Sequence, residues 1–307
     1  MIVRNNSPNI PFRIAGLGIT PLHPFFAAEV SGVDAGATLA PPVIAALTAA
    51  IDRYAVLVLR GQTLTDEQQI AFASLFGPPE INIGVHRAAS QRRLARPEMA
   101  DVSNVNPQNE VHRRDDARRM FNLGNMLWHT DSSFRDPPGG LSLLHAHAVP
   151  SRGGETEFAD LRAAYDALDD ETKALIADLR AEHAIMHSRA TLGFTEFSES
   201  ERAALPPVAQ RVVRRHPGSG RKTLYLASHA SHIIGWPVPE GRLLLRDLIE
   251  FATRREFVFV HHWQAGDLVI WDNRCTLHRG RPYPAEERRD LRRVTTSDHA
   301  AMAEKAA

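Results

Sequence analysis

Hydrophobic and polar residues follow two different spacings along this chain, and each spacing predicts one kind of element. Apolar residues recur at helical spacing in four stretches, 41–54, 65–76, 160–184 and 242–254. The second stretch opens with a capping box at Thr65, and the third is interrupted near Asp169. Short apolar runs bounded by turn residues predict strands at 27–33, 55–59, 100–105, 141–148, 223–227, 257–261, 267–271 and 291–296.

The order of these elements predicts many short strands with a few helices packed outside them. Residues 80–120 are polar and lack a clean period, so we expect a long irregular region there, containing one short strand. Glycine and proline are spread along the chain, without repeats or a linker. We therefore predict an N-terminal arm over residues 1–20 and a single domain over residues 21–307.

Composition narrows the classes of function. The 307 residues carry 36 basic and 36 acidic side chains, and this balance argues against a nucleic-acid-binding protein. The single cysteine, Cys275, excludes an intramolecular disulfide and a Cys-rich zinc site, and it fits a reducing, cytoplasmic location. No run of 18 apolar residues is present, so we expect no membrane span. Fifteen histidines make metal chemistry worth testing.

A candidate metal site begins at Trp128-His129-Thr130-Asp131. If this segment is a strand, His129 and Asp131 face the same way and can occupy adjacent positions on one metal. The fold could add His278, which follows an apolar strand and a turn at Asp272-Asn273. Two histidines and one carboxylate on one face of an iron ion leave three positions open, as in non-haem Fe(II) oxygenases. The His-x-Asp pattern alone is unspecific in a His-rich chain.

Two arginines near the C-terminus suggest the charge of the ligands. Arg289 and Arg293 share a face if the segment Arg288–Arg293 is a strand. Guanidinium groups that point into a cavity need anionic partners, because buried unpaired charge is costly. Arginine also grips a carboxylate through two parallel hydrogen bonds. A metal with two inward arginines therefore indicates two carboxylate-bearing ligands.

Five long segments in fixed order carry a family resemblance: LRGQTLTDEQQIAFASLFGP, GNMLWHTDSSF, GGETEFADLRAAYDAL, HPGSGRKTLYLASHASHIIG and GDLVIWDNRCTLHRGRPY with RRDLRRVTT. With them the chain resembles the taurine dioxygenase/2,4-dichlorophenoxyacetate dioxygenase family of Fe(II)- and 2-oxoglutarate-dependent enzymes. The similarity runs from about Leu22 to Thr296 and is closest to the 2,4-dichlorophenoxyacetate dioxygenase branch. The resemblance implies a mainly β fold with flanking helices, built on a double-stranded β-helix (jelly roll, cupin-like) core.

The resemblance also implies cofactors and site residues. Fe(II) is the metal, and 2-oxoglutarate and O2 are the cosubstrates. The implied iron ligands are His129, Asp131 and His278. Thr156 and Arg289 are implied to hold the distal carboxylate of 2-oxoglutarate, and Asn125 helps to hold this cosubstrate. Arg293 is implied to bind the anionic end of the primary substrate.

The implied reaction is hydroxylation of a small anionic substrate with release of succinate and CO2. For an aryloxyalkanoate such as 2,4-dichlorophenoxyacetate, hydroxylation beside the ether oxygen yields a phenol and glyoxylate. The same chemistry on a sulfonate, an alkyl sulfate or another carboxylate remains an alternative, as does a non-redox cupin-like hydrolase, isomerase or binding protein. Residues 81–120 match no single family member, which leaves the substrate open. The family allows a homo-oligomer.

The remaining histidines have plainer interpretations. His145 and His147 form a same-face pair on a predicted strand, and His183 and His187 lie at i, i+4 spacing. Neither pair has a matching carboxylate, so structural or surface roles are favoured. The sequence leaves open whether a substrate contact or a structural role belongs to His86, His229 and His232.

Overall fold

The computed structural model describes residues 10–86 and 92–298. Its strands are β1 (Phe12–Ile14), β2 (Leu17–Pro21), β3 (Ala28–Ser31), β4 (Val56–Leu59), β5 (Met99–Asp101), β6 (Gly139–Ala148), β7 (Thr156–Asp160), β8 (Arg180–His183), β9 (Val208–Arg211), β10 (Val213–Arg215), β11 (Lys222–Leu224), β12 (Ala230–Ile233), β13 (Val258–His261), β14 (Leu268–Asp272), β15 (Thr276–Gly280) and β16 (Asp290–Ser297). Its α-helices are α1 (Pro41–Tyr54), α2 (Asp66–Ser74), α3 (Ala117–Asn122), α4 (Leu161–Ala167), α5 (Asp170–Ile176), α6 (Ile185–Ala190), α7 (Glu199–Ala204) and α8 (Val238–Ala252).

Two facing sheets form the centre of the molecule. The large sheet has the strand order β1-β2-β3-β4-β14-β6-β16-β5, and its neighbours are antiparallel except for the parallel pair β3 and β4. A smaller antiparallel sheet has the order β13-β7-β15. Phe158 of the small sheet packs against Trp271 of the large one, with ring centroids 5.5 Å apart, inside a buried apolar layer. This sandwich confirms the predicted jelly-roll core.

Helices cover the outer faces of both sheets because the strands alternate their side chains. Leu57 and Leu59 of β4 point outward and pack in one cluster with Leu47 and Ile51 of α1, whereas Val58 points into the sandwich. Helices α4 and α8 lie over a second apolar cluster outside the small sheet. Among the described residues, no helix has both the length and the apolar character needed to cross a membrane.

The structure adds strands to the predicted arm and corrects the end of the third helical stretch. The predicted arm over residues 1–20 includes β1 and most of β2, which pair with the large sheet because Leu17 and Ile19 are buried there; residues 1–9 lie outside the described part. The helical pattern predicted to Ala184 ends at Ile176. Strand β8 follows, and in it Ala181 and His183 are buried because alternate side chains of a strand point to the same face. His183 and His187 therefore do not share a helix face.

A buried arginine joins the helix layer to the small sheet. Arg162 at the start of α4 is fully buried and pairs with Asp160 at 3.0 Å. Its guanidinium also donates to the backbone carbonyls of Asp52 and Arg53 near the end of α1, at 2.8 and 3.2 Å. One side chain thus links the end of α1 to the junction of β7 and α4.

Replacing Arg162 by alanine should lower the free energy of unfolding by about 3–5 kcal/mol, because Asp160 would stay buried without its partner. Chemical denaturation measures this loss. The matched control is Arg221→Ala, which removes a surface pair with Asp166 and should cost less than about 1 kcal/mol. Equal losses in the two variants would contradict a structural role for the buried pair.

Candidate active site

The three predicted metal ligands meet at one end of the sandwich. His129 and His278 exchange two backbone hydrogen bonds, with N···O distances of 3.0 and 2.8 Å. This isolated bridge replaces the strand predicted for the His-x-Asp motif, and Asp131 lies in the turn that follows it. The two imidazole rings have centroids 4.1 Å apart. The bridge, rather than strand alternation, brings the ligands together.

The donor atoms of this group suit a metal ion. Nε2 of His129 lies 3.9 Å from Oδ1 of Asp131, and Nε2 of His278 lies 3.7 Å from Oδ2. All three side chains are buried, and one potential ligand atom from each falls within 4.8 Å of the others. Two atoms that each lie about 2.2 Å from one ion are at most about 4.4 Å apart, so the measured gaps are compatible with a shared ion.

Protonation states also fit a cation. Nδ1 of His129 donates to the Leu127 carbonyl at 2.7 Å, which leaves Nε2 with its lone pair free. Burial lowers the pKa of His129 to about 4 and lowers the pKa of His278 well below its ordinary value. Burial acts to raise the pKa of Asp131, but Arg293 and the two imidazoles lower it overall. Neutral imidazoles and an ionised carboxylate are the forms that bind metals.

Residues that sequence reasoning did not assign hold this carboxylate in place. Ser142 of β6 donates to Oδ2 of Asp131 at 2.7 Å, and Nδ2 of Asn273 donates to Ser142 at 2.9 Å. Oδ1 of Asn273 accepts from the Asp131 amide and from Trp271 Nε1. Asn273 falls in the turn predicted after β14, but its link to Asp131 arises only when the sheets assemble.

A cavity of about 130 Å³ adjoins the two histidines on one side. We call it the Arg289 cavity. Arg289 is 7% exposed and donates to the Val102 carbonyl at 3.0 Å, and no carboxylate in the described chain forms an ion pair with it. Burial lowers its pKa. Oγ1 of Thr156, on the same cavity wall, accepts from Trp263 Nε1 at 3.0 Å, so its own proton is available to a ligand.

A second cavity of about 120 Å³ also has His129 in its wall. We call it the Arg189 cavity. Its wall includes Glu80, Phe134, Arg189 and His229. The two cavities share five lining residues, so they meet at the ligand group: Val102, Asn122, Asn125, His129 and Arg293. Arg293 donates to Oδ1 of Asp131 at 2.5 Å, and Asn125 accepts from Arg189 at 3.3 Å.

Sequence reasoning missed Glu80 and Arg189 and left His229 open. His229 is buried, lines the Arg189 cavity and lies 2.8 Å from the Ser188 hydroxyl through Nδ1. His232 is part-exposed and faces Glu182 instead. His86 ends a short 3-10 helix, and its side chain lies outside the described part. No sequence motif includes Glu80 or Arg189. Only their burial by distant segments marks them as site residues, and that burial arises in the fold.

A second group of potential ligands, His216, Asp272 and Cys275, is also buried. Both oxygens of Asp272 accept from Arg274, at 2.8 and 2.6 Å, and Oδ2 also lies 2.8 Å from His216 Nε2. These partners satisfy the carboxylate. This cluster is therefore an ion-pair network of the core.

Fold and site together define a non-haem metal oxygenase built on a jelly roll. Residues 18–295 match the family model described as taurine catabolism dioxygenase TauD, TfdA family, and the chain belongs to this family. Its members include α-ketoglutarate-dependent dioxygenases, which use Fe(II), 2-oxoglutarate and O2, and the chain is an enzyme of this class.

Three relatives illustrate the similarity. The chain is 50% identical to an α-ketoglutarate-dependent 2,4-dichlorophenoxyacetate dioxygenase of Cupriavidus pinatubonensis, covering 92% of this chain and 98% of that one. It is 39% identical to an (S)-phenoxypropionate/α-ketoglutarate dioxygenase of Sphingobium herbicidovorans, covering 88% and 91%. The crystal structure of AAD-2 with Mn(II) and N-oxalylglycine superposes with a TM-score of 0.84 at 50% identity, covering 92% and 96%.

Glu80 should make the stability of the metal-free protein depend on pH. Burial raises its pKa from 4.5 to about 7, against a 2.6 Å hydrogen bond from Ser132 and the charge of Arg135. Because the folded-state pKa lies above the unfolded value, ionisation favours unfolding, and stability falls as pH rises through this window. Relative to the wild type, the free energy of unfolding of Glu80→Gln should therefore rise by about 3 kcal/mol between pH 5 and pH 8. Denaturation at several pH values measures this gain.

Glu98→Gln is the control for this pH dependence. Burial acts to raise the pKa of Glu98, but a hydrogen bond from Arg96 lowers it overall. The stability that ionised Glu98 contributes is present above its unfolded pKa. The difference in free energy of unfolding between Glu98→Gln and the wild type should therefore stay constant from pH 5 to pH 8. If the difference in free energy of unfolding between Glu80→Gln and the wild type also stayed constant, the raised pKa of Glu80 would be refuted.

Proposed function

We propose that this chain hydroxylates an aryloxyalkanoate such as 2,4-dichlorophenoxyacetate, using Fe(II), 2-oxoglutarate and O2. The products are a phenol, glyoxylate, succinate and CO2. One observation carries the proposal: two cavities meet at a buried His, His, Asp group, and each contains an arginine that forms no ion pair with a carboxylate among the described residues. The 50% identity to a 2,4-dichlorophenoxyacetate dioxygenase supports this choice of substrate.

In this proposal Nε2 of His129, Nε2 of His278 and the Asp131 carboxylate hold the metal. Bound Fe(II) supplies the chemistry by which O2 oxidises 2-oxoglutarate to succinate and CO2 while one oxygen atom enters a substrate C–H bond. The neutral imidazoles and the ionised carboxylate need not lose protons when the ion binds. Ser142 keeps Oδ2 oriented through its hydrogen bond.

Cosubstrate binding is assigned to the Arg289 cavity. Arg289 pairs with the distal carboxylate of 2-oxoglutarate, since its guanidinium is buried and lacks a carboxylate partner in the described chain. Thr156 donates its free hydroxyl proton to the same carboxylate. Asn125 lies where the two cavities meet and helps hold the cosubstrate near the metal.

The primary substrate is assigned to the Arg189 cavity, beside the metal and not on it. Arg293 donates to Oδ1 of Asp131 where the two cavities meet. From that position it binds the anionic group of the substrate. That anchor places the carbon between the carboxylate and the ether oxygen nearest the metal. Hydroxylation there produces a hemiacetal, which collapses to a phenol and glyoxylate. Placement matters because a shift of about 1 Å can cost on the order of 10²-fold in rate.

Other anions suit the same arginine, so a sulfonate, an alkyl sulfate or another carboxylate is the second candidate.

Several expectations from the sequence stay predictions: a single domain, a cytoplasmic location, no nucleic-acid or membrane partner, and homo-oligomer formation. Family membership excludes the non-redox alternative.

A substrate panel tests the proposal. With Fe(II), 2-oxoglutarate and air, the wild type should release phenol and succinate in equal amounts from an aryloxyacetate. It should release little succinate with taurine or a short alkyl sulfate. Succinate formation coupled to a sulfonate or sulfate, without phenol from any aryloxyacetate, would move the assignment to the second candidate.

Arg289→Ala should weaken 2-oxoglutarate binding by about 2–5 kcal/mol, because the cosubstrate carboxylate would lose its buried partner. Arg293→Ala should instead raise mainly the KM for the primary substrate. Steady-state titration of each ligand in each variant measures both effects. Arg288→Ala, which removes a half-exposed neighbour, is the control and should change neither KM more than about twofold. Equal effects of the two site variants on both ligands would contradict this division of roles.

A further inference from the structure

Arg189 is a buried cation that lacks a carboxylate partner in the described chain. The residue is 4% exposed and lies at the end of α6, on the wall of the Arg189 cavity. Burial, together with the charge of Arg293, lowers its pKa to about 10. Two other arginines of the same wall, Arg93 and Arg118, bind Asp101 at 2.8 and 2.7 Å. Arg189 differs from these two neighbours.

Most donor capacity of Arg189 is unused. Nη2 donates to Oδ1 of Asn125 at 3.3 Å, Nη1 donates to the Ser188 hydroxyl at 3.2 Å, and buried Nε has no partner in the described chain. Five N–H groups are present on a guanidinium, and both existing bonds are long and go to neutral acceptors. Buried charge of this kind normally has an anionic partner.

The surroundings keep the guanidinium in position. Its Cζ lies 4.5 Å from the centroid of the Phe121 ring, so one face is stacked. Gly124 leaves the required space, because a Cβ atom there would lie only 2.2 Å from Nη1. Ser188 donates its single proton to the Ile185 carbonyl, so its oxygen can only accept from Arg189 and His229. These contacts preorganise Arg189 without neutralising it.

We propose that Arg189 is a second recognition residue for the anionic group of the primary substrate, acting together with Arg293. The inference rests on the proposed function and adds a residue to it. Arg293 already shares Asp131, so a single arginine would divide its charge between the ligand carboxylate and the substrate. Arg189 brings the charge that Arg293 lacks. Phe121 on Arg189 and Phe134 against His229 supply aromatic walls that suit an anion carried by an aryl ring.

The test separates charge recognition from a structural role. Protein loaded with Mn(II) and the 2-oxoglutarate analogue N-oxalylglycine is titrated calorimetrically with phenoxyacetate and with its neutral isostere phenoxyacetamide. Arg189→Gln should weaken phenoxyacetate binding about 10- to 100-fold, the range for one charge-assisted hydrogen-bonded pair, and change amide binding less than about threefold. Arg211→Gln, at an exposed arginine of β9, is the control and should alter neither. Equal weakening of both ligands, or no weakening of phenoxyacetate, would overturn the proposal.

A second variant keeps the proposal testable if Arg189→Gln does not fold. In Arg293→Gln, which keeps Arg189, phenoxyacetate should still bind more tightly than phenoxyacetamide. Loss of all preference for the anion would show that Arg293 acts alone.

Failure of the proposed function gives a different pattern. If the wild type forms no phenol but binds an alkyl sulfate, the substrate assignment falls, and the Arg189 variants are tested with hexyl sulfate against hexanol under the same criteria. If the wild type binds no anion of the panel, both proposals fall.

Discussion

The pair of backbone hydrogen bonds between His129 and His278 is the contact on which the site depends. It joins two segments that lie far apart in the chain and fixes the two imidazoles at a centroid distance of 4.1 Å. His278 belongs to β15, which pairs with β7 so that Gly280 lies opposite Thr156. The same small sheet therefore sets the distance from His278, a candidate metal ligand, to the Thr156 hydroxyl proposed to bind the cosubstrate. A shift in this register would displace both functions together.

Charge is the second constraint, and it explains why the site needs its ligands. Asp131 is the one carboxylate among the three candidate metal ligands, and Arg293 binds it directly. Arg189 and Arg289 are buried without carboxylate partners in the described chain. Burying these cations costs free energy that protein contacts return only in part. An anion in either cavity therefore finds donors already desolvated and oriented, so little reorganisation opposes its binding.

The sequence was informative where structure is local. Helical spacing predicted α1 and α8, and apolar runs predicted β4, β6 and β14, because each of these elements buries one regular face. The structure brings the His-x-Asp residues together with His278, but the predicted strand is only a single bridge that exists through contact with His278. Glu80 and Arg189 could not be predicted. Their burial comes from segments distant in sequence, and a lone Glu or Arg is usually exposed.

The segment 92–122, which lines the Arg189 cavity, is held by charge pairs as well as by the apolar packing of Leu94 and Met99. Arg93 joins Asp101 to Asp290 of β16, and Arg118 binds Asp101 from α3. Such pairs depend on a few side chains, whereas His278 and Thr156 lie on paired strands of the small sheet. Changes in this segment would thus reshape the cavity assigned to the primary substrate while the strands keep His278 and Thr156 in place. This separation gives a physical reason for one family to oxidise different anions with a common core.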